Sequence, residues 1–157
     1  MSEPVSLALW VLVAVAVTAA VVWATITAQR LDRLHIRVDR SRDALQAALD
    51  RRLAVVVAHD PQLAHEARRV EAIPLRPRDF SARIDAEERF RARVDATAGG
   101  YPRDDSDANT RVLLAVRFYN DAVADTRALR LRPLVRVLRL GGTAPLPVYC
   151  DLREISA

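Results

Sequence analysis

The hydrophobic positions of this chain change character along its length. From Val5 to Ala28 they are continuous, a run of 24 uncharged residues dominated by Ala, Val, Leu, Ile and Trp. At ~1.5 Å per residue such a helix spans roughly 36 Å, enough to cross a hydrocarbon core of about 30 Å with some tilt. Trp10 and Trp23 stand toward its two ends, where indoles anchor at membrane interfaces. From Leu31 onward the apolar residues become periodic. Leu31, Leu34, Val38, Leu45, Leu49, Leu53 and Val56 recur at roughly three-to-four spacing with Arg and Asp between them, the pattern of an amphipathic helix. No Gly or Pro interrupts residues 5–60. The sequence therefore predicts one helix that runs from membrane into water and ends or bends sharply at His59-Asp60-Pro61.

Shorter periodic segments follow. Leu63, Ala67 and Val70 mark a second helix, stopped by Pro74 and Pro77. A third starts near Asp79 or Ser81, either of which can cap it. Its stripe is Phe80, Ile84, Phe90 and Val94, and Glu87 and Arg91 are spaced for an ion pair along it. Gly99-Gly100-Tyr101-Pro102 is a break, and Asp104 to Asp107 supplies an N-cap for a fourth helix. That helix carries Val112, Val116, Tyr119 and Val123 on one face and is expected to reach about Leu140, disturbed at Pro133. After Gly141-Gly142 the tail, with Pro145 and Pro147, is expected to be extended or poorly ordered and Cys150 to be accessible.

Composition narrows the chemistry. The chain has 157 residues, 24 basic and 20 acidic, and every base is Arg. Without Lys there is no Schiff-base lysine and no phosphate-loop lysine. The Arg, Ala and Val excess reads as coding bias of a GC-rich genome. A single cysteine excludes an internal disulfide framework and a Cys-based zinc site. All the arginines lie from Arg30 onward, and Arg30, Arg33, Arg37, Arg40 and Arg42 directly follow the apolar run. The positive-inside rule then puts the N-terminus outside and the bulk of the chain in the cytoplasm at the plasma membrane. A cleaved signal peptide fits less well, because residues 1–4 carry an acid and no base and the apolar run is too long; Ala24 to Ala28 is the stretch that would serve as its cleavage site.

The segment Asp43-Ala44-Leu45-Gln46-Ala47-Ala48-Leu49-Asp50-Arg51-Arg52, placed after such a membrane helix, resembles the start of the LemA family. Ala64-His65-Glu66, Ala86-Glu87-Glu88 and, most specifically, Arg117-Phe118-Tyr119-Asn120-Asp121-Ala122-Val123 continue the resemblance, as does the close from Leu134 to Glu154. It touches most of the chain between about residues 10 and 153. The chain departs from the family where Tyr101-Pro102-Arg103-Asp104 and a short loop replace a longer helical stretch, and where Ala54-Val55-Val56 follows the basic pair. The resemblance implies a short, divergent member: an all-α protein in which a single N-terminal transmembrane helix continues into a small antiparallel helical bundle.

Candidate chemistry is sparse. His59, His65 and Glu66 form the one cluster with metal-binding side chains, but six residues and Pro61 separate the histidines, so one helix face cannot hold both. No nucleophile–base–orienter set, Gly-rich phosphate loop or calcium loop can be assembled. His65, Glu66, Tyr119 and Asn120 are family-motif positions read as structural, Tyr119 as a bundle-facing ring with its hydroxyl at the edge and Asn120 as an interhelical hydrogen-bond partner; a ligand contact is the alternative for the latter two. The basic stretch Arg127, Arg130, Arg132, Arg136 and Arg139 contains no acid between Asp125 and Asp151. On a continuous helix, Arg132, Arg136 and Arg139 would oppose Leu131, Leu134, Val135 and Leu138. If four helices alternate in direction, this last one returns to the bilayer and its basic face meets anionic headgroups; a solvated bundle face is the plainer account, and nucleic acid is not expected as a partner.

These observations divide the chain into an extracytoplasmic tail (1–4), a transmembrane helix (5–28), a cytoplasmic helical bundle (29–140) and a Pro-containing tail (141–157). They point to a non-catalytic interaction or scaffolding module with no cofactor and an unidentified protein partner. A membrane-tethered hydrolase using His65 and Glu66 is the rival, and an anionic-lipid-binding helix at 127–140 a further alternative. A homo-oligomeric coiled coil on the Leu31–Val56 stripe is weakened by Ser41 and Arg52 on its seam.

Overall fold

The computed structural model describes residues 3–98, 106–142 and 145–151. Among these the chain is helical: α1 (Glu3–His59), a 3-10 turn (Pro61–Leu63), α2 (Ala64–Glu71), α3 (Phe80–Ala98), α4 (Ser106–Arg130) and the short α5 (Pro133–Val137). The break at Gly99 to Pro102 and the proposed cap at Asp104 and Asp105 lie outside the described residues.

α1 is a single unbroken helix of 57 residues. Its first half is long and apolar enough to cross a membrane, and its large side chains from Val5 to Ile26 are exposed. Thr18, Thr25 and Thr27 return their hydroxyls to the carbonyls four residues back (2.8, 2.9 and 2.8 Å). Hydroxyls bonded in this way can lie in an apolar medium without an unmet donor. The second half is amphipathic as its periodicity predicts, with Leu31, Val38, Leu45, Leu49, Leu53 and Val56 all buried. Its stripe is therefore covered by the chain's own later helices. The helix stops at His59 because Pro61 cannot extend it and Asp60 caps the turn that follows, accepting a hydrogen bond from the Gln62 N–H at 3.0 Å.

α4 lies along the amphipathic half of α1. Leu31 clusters with Leu129, and Arg37 pairs with Asp125 at 2.7 Å. Further along, Val38, Leu45 and Leu49 share a core with Tyr119, Ala122, Val123 and Val112. At the far end, Leu53 and Val56 meet Leu63, Ala67 and Val70 on α2 and Ala86, Phe90 and Val94 on α3. α3 begins at Phe80, one residue after Asp79, whose carbonyl accepts from the Arg83 N–H at 2.9 Å; Ser81 lies inside the helix.

Glu87 does not take Arg91 as the spacing suggests. It faces inward, with Arg52 Nη2 at 3.0 Å and Arg83 Nη2 at 2.8 Å. Arg83 is fully buried (0% exposed) and also reaches Asp50 at 2.7 Å and the Ile73 carbonyl at 2.9 Å. One guanidinium thus ties α1, the α2–α3 connection and α3 together. Gln46 adds a second tie, its Oε1 accepting from the Leu75 N–H at 3.0 Å.

α4 does not run on to Leu140. It ends at Arg130, and Pro133 restarts the chain as α5 after an extended Arg132. α5 closes in a Schellman arrangement: the Arg139 N–H bonds the Arg136 carbonyl and the Leu140 N–H bonds the Val135 carbonyl, both at 3.1 Å. Arg139 takes the left-handed position (φ 50°) that such a close requires.

Candidate functional site

The tail is extended, as expected, and most of its side chains are exposed, but Cys150 is not accessible. Pro145 to Asp151 lies against α4 and is held there by four side chains. Asn120 grips Cys150 twice: its Oδ1 accepts from the Cys150 N–H at 2.8 Å and its Nδ2 donates to the Cys150 carbonyl at 2.9 Å. Tyr119 Oη donates to the Val148 carbonyl at 2.9 Å. Arg127 and Arg130 donate to the carbonyls of Pro147 and Pro145, both at 3.0 Å. The Arg127 guanidinium also sits over the Tyr149 ring, 5.5 Å from its centroid. Two prolines cannot donate to a ladder, so the tail offers carbonyls, and α4 supplies donors at matching positions.

Cys150 is consequently 3% exposed. Burial, and secondarily the neighbouring Asp151 carboxylate, push its thiol pKa up to about 12. Tyr119 is buried and stacked on Phe80, with ring centroids 5.6 Å apart and planes at 21°. Burial is the main reason that its phenol pKa lies above the usual value, with Cys150 adding to it.

The docked tail forms one side of a cavity of about 310 Å³. One wall is the α1 face bearing His35, Val38, Asp39 and Arg42; the others come from Pro77 and Phe80, Tyr119, and tail residues 145–148. The lining is mostly apolar, with a polar strip from α1. Arg42 Nη2 and Asp39 Oδ1 pair across that strip at 3.0 Å, while His35 Nε2 is buried without a hydrogen-bond partner among the described residues. An apolar body carrying one hydrogen-bonding group is the kind of guest that such a lining accepts. The sequence held a signal for this site: His35, Val38, Asp39 and Arg42 share one helical face, and a histidine on the margin of an apolar stripe is a position worth marking.

Tyr119 and Asn120 belong to the tail clamp and Tyr119 also to the cavity wall; Asn120 bonds the tail backbone and no neighbouring helix is its partner in these two contacts. His65 is exposed on α2 and Glu66 is directed at Arg93, 3.8 Å away. His59 Nδ1 lies 3.0 Å from the Val55 carbonyl. His59, His65 and Glu66 form no metal-binding group, and none of three or more His, Cys, Asp or Glu occurs among the described residues. Arg132, Arg136 and Arg139 are exposed, but the leucines expected to oppose them in the core are not buried. Leu131, Leu134 and Leu138 are exposed, and Val135 alone of that set is covered. The break at Pro133 rotates the segment relative to the wheel a continuous helix would give. Set against protein-family models, curated proteins and solved structures, the chain matches none of them, so the likeness to LemA rests on the residues quoted for it.

Proposed function

We propose that this chain is a single-pass membrane protein of LemA type, with an antiparallel helical bundle that serves as a non-catalytic interaction module on the cytoplasmic side. The observation that carries the proposal is α1 itself. An outward-facing apolar segment of spanning length continues without a break into a stripe covered by α2, α3 and α4, so anchor and bundle share one helix. The five arginines from Arg30 to Arg42 favour retention of that end of the span in the cytoplasm. The cavity beside the docked tail is where an apolar group of a partner or small ligand would seat. The hydrolase reading draws little support from an exposed His65 and a Glu66 turned toward an arginine.

Topology is tested with an introduced thiol, since Cys150 is shielded. Gln62→Cys lies in the exposed turn after α1. An impermeant maleimide should label it after permeabilisation and leave it untouched in intact cells; labelling of intact cells would reverse the orientation. Stoichiometric metal in the purified protein would favour the hydrolase over the interaction module.

A further inference from the structure

The segment after α4 sits at the level where the apolar half of α1 ends. Going along α1, the large apolar side chains are exposed through Ile26; the first covered positions are Thr27 (8% exposed) and Leu31 (1%). Leu31 is packed with Leu129 and Val135, and Leu34 and Leu140 close around them. Leu31 is about 4–5 Å along the helix axis beyond Ala28, the last residue of the apolar run. Leu129 and Val135 are therefore held at the depth of the headgroup layer if residues 5–28 span a bilayer.

The Schellman close fixes which side chains remain outside. With Val135 and Leu140 turned inward, Leu131, Leu134, Val137 and Leu138 are left uncovered, Val137 to 77%. Four large apolar side chains exposed within eight residues are costly in water and favourable at an acyl boundary. Among them stand Arg132, Arg136 and Arg139, all exposed, and no acid occurs between Asp125 and Asp151. Short apolar residues that insert and guanidiniums that bond phosphate are the two halves of an interfacial anchor.

We propose that residues 131–139 are a second membrane contact, lying in the headgroup layer of anionic phospholipid with the leucines and Val137 toward the acyl chains and the three arginines on phosphates. The chain is then attached twice, by its span and by a surface element about a hundred residues later. This inference rests on residues 5–28 being the span. It differs from a basic face alone, because apolar insertion and charge act from the same nine residues.

The test uses full-length protein in nanodiscs, of phosphatidylcholine alone or with phosphatidylglycerol, and a polarity-sensitive dye on single introduced cysteines at Leu12, Gln62 or Val137. Lipids carrying a quencher in the acyl chain report depth. Quenching at both 12 and 137, with 62 unaffected, is the expected result. A probe at 137 that behaves like the one at 62 while 12 is quenched overturns the second contact and leaves the span intact; no quenching at 12 overturns the span as well. Quenching at 137 should be stronger with phosphatidylglycerol, and Arg132→Gln/Arg136→Gln/Arg139→Gln should remove that difference. Equal quenching in the two lipids would overturn the anionic part. Val137 touches no core cluster, so the labelled variant keeps the fold.

Discussion

The side chain of Asn120 takes both backbone groups of Cys150, with bonds of 2.8 and 2.9 Å that imitate one rung of a β-ladder across thirty residues of sequence. A helix thereby presents a strand-like edge at a single position, and the tail docks on it without a sheet.

Asn120→Ala should lower stability by about 2–3 kcal/mol, because it strands a buried N–H and carbonyl of Cys150. Denaturation in detergent, read with the rate of Cys150 labelling under native conditions, checks this. A shifted midpoint together with a newly reactive thiol is expected; an unchanged thiol would mean that the tail stays docked without its clamp.

Cys150 should resist maleimide in the folded protein. With its pKa pushed up to about 12, the thiolate at pH 8 is scarcer than in the unfolded chain by a factor of about a thousand. The raised pKa also fixes a pH dependence. Folded Cys150 and Tyr119 both favour the protonated form, so their contribution is fully present below the unfolded thiol's value of 9.0 and is lost as pH climbs toward about 12. Thermal midpoints measured from pH 7 to 11 should fall only on the alkaline side.

Glu87→Gln should be among the most damaging single changes, at about 3–5 kcal/mol, since it leaves the buried guanidiniums of Arg52 and Arg83 without the carboxylate between them. Replacing all three together with Leu or Met should cost less than the single change. Thermal unfolding of the two variants decides whether the ions stabilise the fold or chiefly select one packing of α1 against α3.

Arg139→Gly should stabilise the turn after α5 by about 1 kcal/mol, because only glycine takes a left-handed φ of 50° without strain from Cβ. Slower hydrogen exchange at the Leu140 amide, which bonds the Val135 carbonyl, is the local readout. Faster exchange would show that the arginine side chain itself holds the turn.

Local periodicity carried much of the fold into view. The unbroken α1, its end before Pro61 and the Leu63, Ala67 and Val70 face of α2 all follow from spacing and from proline chemistry within a few residues. Pairings distant in sequence did not show. Arg91 lies at the favoured helical spacing from Glu87, yet Glu87 is taken by Arg83 on the other side and by Arg52 from 35 residues away. The tail looked loose because it contains prolines and no period, while its order comes from donors on α4. The outward leucines of residues 131–138 were misplaced for a third reason: a helical wheel drawn through Pro133 loses its phase there.

The absence of any hinge in α1 has a mechanical meaning. A 57-residue helix is about 86 Å long, and residues 28–59 project about 46 Å from the end of the apolar segment. Spanning helices answer changes in bilayer thickness by tilting. A tilt of roughly ten degrees would sweep the His59 end through about 8 Å, carrying α2 and α3 with it as a lever carries its load. Stretching or thinning of the lipid would then be felt at the opposite end of the molecule as displacement, with no rearrangement of the core required.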